Sequence, residues 1–503
     1  MLSWSRRVVV ALCLIFAASS VGWAQTGDTP LRKNIDDLTA QELAAYEHAV
    51  QILKDRNQAN PYDREGYLWQ AWIHNCMKIF VPDDPSTVEE PTPMFCDRGQ
   101  PPPGRTLANP GMCEHGKDIF LLWHRAQFYY FEQLLRATDP EGLTGPSTAN
   151  VAVPYWNWTR PPSGARYPKA FEDPNSPLYH ENRLHNALLP EERERLEGAT
   201  SARLTAELIY RGDWPRFGGY PQAHPTGGKG LFESQQHDLM HAFYFGGDMA
   251  NPTTAALDPG FWSFHSYIDL ILEFWLRENG AGEMTSLDQF LRATQPASIT
   301  PAPGHDDGAG LPSMGRARIY LDTTKLGYGF EVKPQDRLPS RDLIADLVTG
   351  ATQFGGSAQS PFARLAGDGF NNPDLGQPTQ IAQLPIALNA DNRNAVVQFA
   401  RPMGAADVSF AVDFYLHPRT VTPDMRDTAF RERFIVASRG YWGSGHEAAQ
   451  GEHAPAKPLF LDLSEPMQSL LPGLDGRVWV LTAVVSGPDV DLSFGQLSLV
   501  ASR

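Results

Sequence analysis

The sequence predicts an α+β multidomain protein: a mainly α-helical domain built on a four-helix bundle, followed by a C-terminal β-sandwich domain. Apolar residues recur at helical spacing up to about residue 295, and short alternating strands bounded by Pro, Gly or Asp fill the last quarter. Between them the composition shifts to Pro, Gly and Asp, as in TPAPGHDDGAGLP. A chain of 503 residues with 42% hydrophobic content is long enough for two cores. The net charge of −16 argues against nucleic acid or anionic membrane as a partner and fits a soluble acidic protein.

Residues 1–24 read as an export signal: Arg6 and Arg7, an apolar run from Val8 to Ala18, and small residues ending at Ala24. The run is too short to span a membrane, and a secreted or periplasmic destination follows; a retained N-terminal anchor is the alternative. Ser5-Arg6-Arg7 is similar to a twin-arginine signal. Removing the leader leaves Cys76, Cys96 and Cys113. An oxidising destination favours a Cys76 to Cys96 disulfide and leaves Cys113 over.

The helical domain, residues 25–330, opens on a helix signalled by a capping box of Thr39 and Glu42, with Leu38 placed to staple to Leu43. His48 lies in it with no partner motif and reads as a surface residue. The stretch YLWQAWIHNC places His74 on a helix opened by Asn60 and Pro61. Residues 81–114, rich in Pro and Gly, read as a long loop delivering His115. HGKDIFLLWHRAQFYYFEQLLR then sets His115 and His124 nine residues apart. On a helix His124 shares its face with Gln127, Phe128, Phe131 and Leu135, whereas Arg125, Glu132 and Arg136 lie on other faces. A buried imidazole must be hydrogen-bonded or metal-bound, and for a lone histidine the plainer reading is a satisfied core residue.

It is not alone. HDLMH puts His237 and His241 four apart on one helix face, and DPGFWSFHSYIDLILEFW carries His265 with Ile268, Leu272 and Leu276 marking a core face. His180, His185 and His224 fall in the irregular sequence of residues 140–230 and are not counted as ligands. Six histidines on four apolar helices or their approaches, without a cysteine or carboxylate ligand motif beside them, are a donor set that copper accepts. Three ligands per ion leave positions open for oxygen.

On these residues the chain resembles the tyrosinase, catechol oxidase and hemocyanin family with coupled binuclear (type 3) copper, over about residues 30–330. The family's first motif is matched by His74, His115, His124 and the following Arg125, and its second by His237, His241, DPGFWSFH and Asp269. The match departs at Phe264, where the family has the first histidine of a pair, which puts the wall of the substrate pocket in question. The resemblance implies two copper ions, one held by His74, His115 and His124 and the other by His237, His241 and His265. It implies oxidation of small-molecule phenols with O2: ortho-hydroxylation of monophenols and conversion of o-diphenols to o-quinones. The Cys-x-His arrangement of Cys113 and His115 resembles the one that forms a thioether in fungal tyrosinases and molluscan hemocyanins; a buried free thiol is the alternative.

In relatives a Glu shortly before the first histidine of HxxxH, and an Asn after it, are proposed to hold a water that deprotonates the incoming phenol. Glu233 and Asp238 stand there, and Asp238, in place of Asn, could itself be the base. The plain alternative makes Glu233 a helix N-terminal acid. Three rival readings are a catechol oxidase without monophenolase activity, a hemocyanin-like oxygen carrier, and a zinc hydrolase suggested by HDLMH. The last lacks the Glu that metalloproteases have after the first histidine.

LGYGF, residues 326–330, resembles the tyrosine motif closing the catalytic domain in plant and fungal relatives, with Phe330 in place of a final Tyr. Residues 331–378 read as a linker and residues 379–503 as the sandwich. His417, His446 and His453 there form no metal-spaced set. In latent relatives such a domain covers the copper pocket with a protruding side chain, and the long linker would allow the same here.

Overall fold

The computed structural model describes residues 29–75, 79–82, 105–108, 113, 115–160, 167–183, 200–220, 228–241, 246–284 and 320–341. In the C-terminal part it describes residues 380–387, 395–399, 410–422, 430, 434–441, 459–462, 478–486 and 497–501. The export segment 1–24, Cys76, Cys96, His185, His224, His446 and His453 lie outside the described residues.

Helix α1, Ala40–Ala59, starts at the expected capping box: the Thr39 hydroxyl accepts from the Glu42 N–H at 3.2 Å, and the Glu42 carboxylate accepts from the Thr39 N–H at 2.9 Å. It buries Tyr46, Ala49, Val50 and Leu53. Asn60 closes α1 rather than opening the next helix. Helix α2, Tyr67–Asn75, begins after an intervening turn, with Asn57 of α1 accepting from the Leu68 N–H at 2.7 Å. Helix α3 is Phe120–Ala137. Helices α4, Ala202–Tyr210, and α5, Trp214–Gly218, follow, then a π-helix, Phe232–His237, whose helical winding continues to His241. Helix α6, Pro259–Asn279, is N-capped by Asp258 and has Pro259 in its first turn. Stacking of Phe131 on Trp262 at 3.6 Å and a 3.0 Å hydrogen bond from the Trp262 indole to the Tyr67 hydroxyl tie α2, α3 and α6 together. No described helix is long and apolar enough to cross a membrane.

Helix α3 is buried on more faces than its apolar stripe predicts: Arg125, Glu132 and Arg136 are all inside. The reason is a charge supplied from far away. Strand β1, Leu31–Arg32, inserts Arg32, whose guanidinium donates to Glu132 at 2.8 Å and to Asp269 at 2.7 Å. Arg125 also pairs with Asp269, Arg136 with Glu132, and the Tyr328 hydroxyl donates to Asp269 at 2.6 Å beneath the Arg32 guanidinium. Buried ions cost several kcal/mol each unless matched, and here each of them has a partner of opposite charge.

Strand β1 pairs in parallel with β4, Gly329–Phe330, so the LGYGF motif closes onto the start of the helical body. The eleven residues after it, 331–341, do not behave as the expected linker. Asp336 is buried and accepts from Asn34 and Asn157 at 3.0 Å each, and Arg341 pairs with Glu278. Strand β2, Ile79–Pro82, runs into residues 81–114, expected as loop, and pairs antiparallel with β3, Arg105–Ala108.

The C-terminal part holds a four-stranded antiparallel sheet in the order β5 (Gln380–Ala387), β10 (Val478–Ser486), β7 (Phe410–Pro418), β8 (Ile435–Tyr441). A three-stranded sheet has the order β11 (Leu497–Ala501), β6 (Ala395–Phe399), β9 (Leu459–Asp462). Consecutive residues Val412 to His417 of β7 and Val480 to Val484 of β10 are buried, so the central strands are covered on both faces. Strand β11 lies beside β5, and β8 runs against the π-helix of the helical body. His417 is spent on Thr482, 2.7 Å away.

Candidate metal centre

Five of the six expected histidines are almost fully buried: His74 in the last turn of α2, His124 in α3, His237 and His241 on the π-helix and its continuation, and His265 in α6. His115 sits in the turn before α3 and is partly covered. Burial first, and neighbouring imidazoles second, hold His115, His237 and His265 far below the ordinary histidine value; burial brings His241 down to about 3. These four rings are therefore held towards the neutral state, the one in which imidazole binds a metal.

Their tautomers follow from their partners. His74 Nδ1 lies 3.0 Å from the Pro252 carbonyl, His124 Nδ1 2.8 Å from that of Phe120, and His241 Nδ1 2.8 Å from that of Met249. A carbonyl oxygen only accepts, so each Nδ1 carries the proton and each Nε2 presents a bare lone pair. Yet His74 Nε2 and His124 Nε2 face each other at 3.4 Å. His241 Nε2 likewise meets His265 Nε2 at 3.3 Å, and His265 Nδ1 has no hydrogen-bond partner among the described residues, so no partner fixes that ring's tautomer. The two lone pairs of His74 and His124, so close, call for an electrophile between them. Tetrahedral coordination at about 2.0–2.1 Å separates ligand nitrogens by roughly 3.3–3.4 Å, so the spacing fits a metal ion.

The donor atoms of His237, His241 and His265 form one group within 4.8 Å of one another, as do those of His74, His124 and His265. His74 also groups with Cys113 and His115. His265 thus stands between the two sets, and its ring stacks on His124 at 4.5 Å. The His115 ring lies 5.1 Å from His124, 5.4 Å from His74 and 5.2 Å from His237. Phe120 and Phe261 pack against the cluster and keep it apolar.

Cys113 Sγ is 2.8 Å from His115 Nδ1, closer than a sulfur to nitrogen hydrogen bond. Glu233 is not a surface acid at a helix start: it is buried, Oε1 accepts from the Gly116 N–H at 2.9 Å, and Oε2 has no hydrogen-bond partner among the described residues. Burial, with the charge of Asp238 adding, pushes it up to about 8 against the pull of Lys229. Both oxygens of Asp238 are engaged: one lies 2.8 Å from His237 Nδ1 and the other takes the Lys229 ammonium at 2.5 Å. Phe264 is fully buried against the histidines, edge-on to His241 at 4.9 Å and against Trp158 at 4.8 Å. His48 is partly buried and hydrogen-bonded to Asp139, and His180 to Asp248. Lys229 escapes a sequence reading, since a lysine between glycines in a loop looks like a solvated charge.

The family model for the common central domain of tyrosinase matches residues 64–203 and 171–278. The chain is 30% identical over 499 residues to a tyrosinase of Hahella sp. (strain CCB-MM4), covering 93% of this chain and 98% of that one. It is 24% identical over 335 residues to the chloroplastic polyphenol oxidase C of Solanum lycopersicum, covering 60% of this chain but only 46% of the plant protein. Its fold is similar to that of a latent aurone synthase (polyphenol oxidase) from natural source, with a TM-score of 0.58, 16% identity, and coverage of 94% and 89%.

Proposed function

The chain belongs to the tyrosinase family, and on that premise we propose which of its residues carry the copper-dependent oxidation of phenols with O2 that it performs with two copper ions. One ion is held by His74, His115 and His124, the other by His237, His241 and His265. The observation that carries this reading is the pair of facing Nε2 lone pairs of His74 and His124 at 3.4 Å, with His241 Nε2 and His265 Nε2 3.3 Å apart in the second set. When bound, copper supplies O2 binding and electron transfer. The protein holds neutral imidazoles in place through the carbonyls of Pro252, Phe120 and Met249, and excludes water with Phe120 and Phe261.

A monophenol has an ordinary pKa near 10 and must lose its proton to bind as phenolate. Glu233 Oε2 is the acceptor for that proton, directly or through a water, so the chain hydroxylates monophenols as well as oxidising o-diphenols. Asp238 orients His237 and does not take the proton. Cys113 and His115 join as a thioether: an S–C bond forms, S–H and ring C–H break, and two electrons and two protons pass to O2. The 2.8 Å approach of sulfur to the ring supports this.

The four helices α1, α2, α3 and α6 are the bundle, the two C-terminal sheets are a β-sandwich, and the connecting segment starts after Arg341. Strand β8 lying against the π-helix supports a sandwich that shields the copper pocket. The leader directs the protein out of the cytoplasm, where Cys76 and Cys96 pair.

The test is the copper-loaded chain with an o-diphenol and then a monophenol. Quinone forms catalytically from both, which neither an oxygen carrier nor a zinc hydrolase does. His124→Ala and His241→Ala abolish it and bind fewer than two coppers. Retained o-diphenol oxidation in both variants at full copper occupancy would overturn the ligand assignment.

A further inference from the structure

His74, His124 and His241 each rest on a backbone carbonyl, whose position the fold itself sets. His237 instead rests on a side chain, the Asp238 carboxylate, at 2.8 Å. That carboxylate is wholly buried and shares its surroundings with a second buried acid, Glu233. A side chain can turn where a backbone carbonyl cannot, and an orienting group that turns orients nothing. Lys229 answers that problem. Its ammonium lies 2.5 Å from Asp238 Oδ2, on the far side of the carboxylate from His237, and 3.8 Å from Glu233.

The lysine is held where it can do so. Its stem passes beside Gly116, where an added Cβ would be 3.9 Å from Lys229 Cγ. Next to it Gly230 tolerates no side chain, because a Cβ there would fall 2.2 Å from the Phe217 carbonyl oxygen, and Gly228 adopts a positive φ of 148°. The fold therefore requires glycine on both sides of Lys229.

We propose that Lys229 is a positioning residue for the second copper: its ammonium, 2.5 Å from one carboxylate oxygen of Asp238, fixes the side chain whose other oxygen holds the His237 ring, so that Nε2 points at the metal. The inference rests on the reading of His237 as a copper ligand. It makes Lys229 the counter-charge to an aspartate. An Asn at 238 would accept from His237 Nδ1–H through its amide oxygen without needing a cation. Lys229 and Asp238 are then energetically coupled, and a double-mutant cycle isolates that coupling.

The experiment uses the full copper-loaded chain and follows copper per chain during titration with a chelator, with the thermal midpoint as a control. Lys229→Met should lower by about 10- to 100-fold the chelator concentration that removes the second copper, leaving the first in place. Lys229→Arg should hold copper as the parent does. In an Asp238→Asn background Lys229→Met should change retention by less than about 3-fold. An equal effect of Lys229→Met in both backgrounds, or none in either, overturns the inference, and so does simultaneous loss of both coppers. If Lys229→Met does not fold, Lys229→Arg and the Asp238→Asn double variant decide alone: an unstable double variant refutes the coupling and a folded one with both coppers supports it. His237→Ala run alongside separates the premise: a protein that keeps two coppers refutes the ligand reading itself, whereas loss of one there with no effect of Lys229→Met refutes only the role of Lys229.

Discussion

Glu233→Gln separates the two activities. In the parent, Oε1 is committed to the Gly116 N–H at 2.9 Å, and a glutamine keeps that bond through its own carbonyl oxygen, so the turn carrying His115 stays in place. What changes is Oε2, the oxygen without a hydrogen-bond partner among the described residues, which becomes an NH2 group that cannot accept a proton. A monophenol of pKa near 10 is about 1% ionised at pH 8, the assay pH at which Glu233, pushed up to about 8, is half ionised, so deprotonation costs about 2.7 kcal/mol unless a base helps. A positioned base contributes about 10²- to 10⁴-fold. Only one acceptor oxygen is lost here, so the low end applies: kcat/KM for a monophenol should fall about 100-fold, or about 2.7 kcal/mol, mainly in kcat. An o-diphenol can itself reduce the oxidised coppers, and its rate should stay within about 3-fold. The assay is initial quinone formation from paired monophenol and o-diphenol substrates at verified copper occupancy. An equal loss on both substrates would refute the base assignment and make Glu233 a structural residue.

A peptide containing Cys113 and His115 from copper-loaded protein should be lighter by two hydrogens and resist reduction; an alkylatable Cys113 would refute the thioether. Proteolytic cutting between residues 342 and 379, with removal of the C-terminal sheets, should raise the rate or lower KM for phenols; an unchanged rate would make the tail a stability or partner module. Asp258→Ala removes the N-cap of α6, worth about 0.5–2 kcal/mol, and strands the buried Arg183 guanidinium, at about 3–5 kcal/mol. The thermal midpoint should drop by on the order of 10 °C, and a drop within about 2 °C would refute the pairing. Burial alone would raise the Asp258 carboxyl, but Arg183 outweighs it and holds it below its ordinary 3.8. Its stabilisation is therefore complete above that value and lost as pH falls through the depressed one, an acid-side step that Asp258→Asn should remove.

Local patterns carried what local chemistry can encode. The capping box of Thr39 and Glu42 starts α1 because both partners lie within one turn, and the Asp258-Pro259 start of α6 works the same way. His124 and His265 were legible as buried because apolar neighbours recur on their helix faces. The same periodicity misplaced Arg125, Glu132 and Arg136, because a charged residue off the apolar stripe looks solvated until a counter-ion arrives. Here Arg32 arrives from 100 residues before Glu132. Residues 331–341 looked like linker for a related reason: Asp336 has no local partner, and its donors Asn34 and Asn157 lie far back in the chain.

The sequence by itself offered six histidines at spacings that suit two three-ligand sites, and with them the family. Only the tertiary structure decided which nitrogen of each ring is bare and what it faces. His124 takes its carbonyl from one turn earlier in its own helix, but the carbonyl that meets His74 belongs to Pro252, 178 residues away. The same holds for the acids: adjacency in sequence put Asp238 beside His237, while the fold brought Gly116 to one oxygen of Glu233 and Lys229 to Asp238. Proton positions are set by such long-range partners, because a neutral imidazole or a carboxylate takes its role from the donor or acceptor it meets, and spacing along the chain does not encode that meeting.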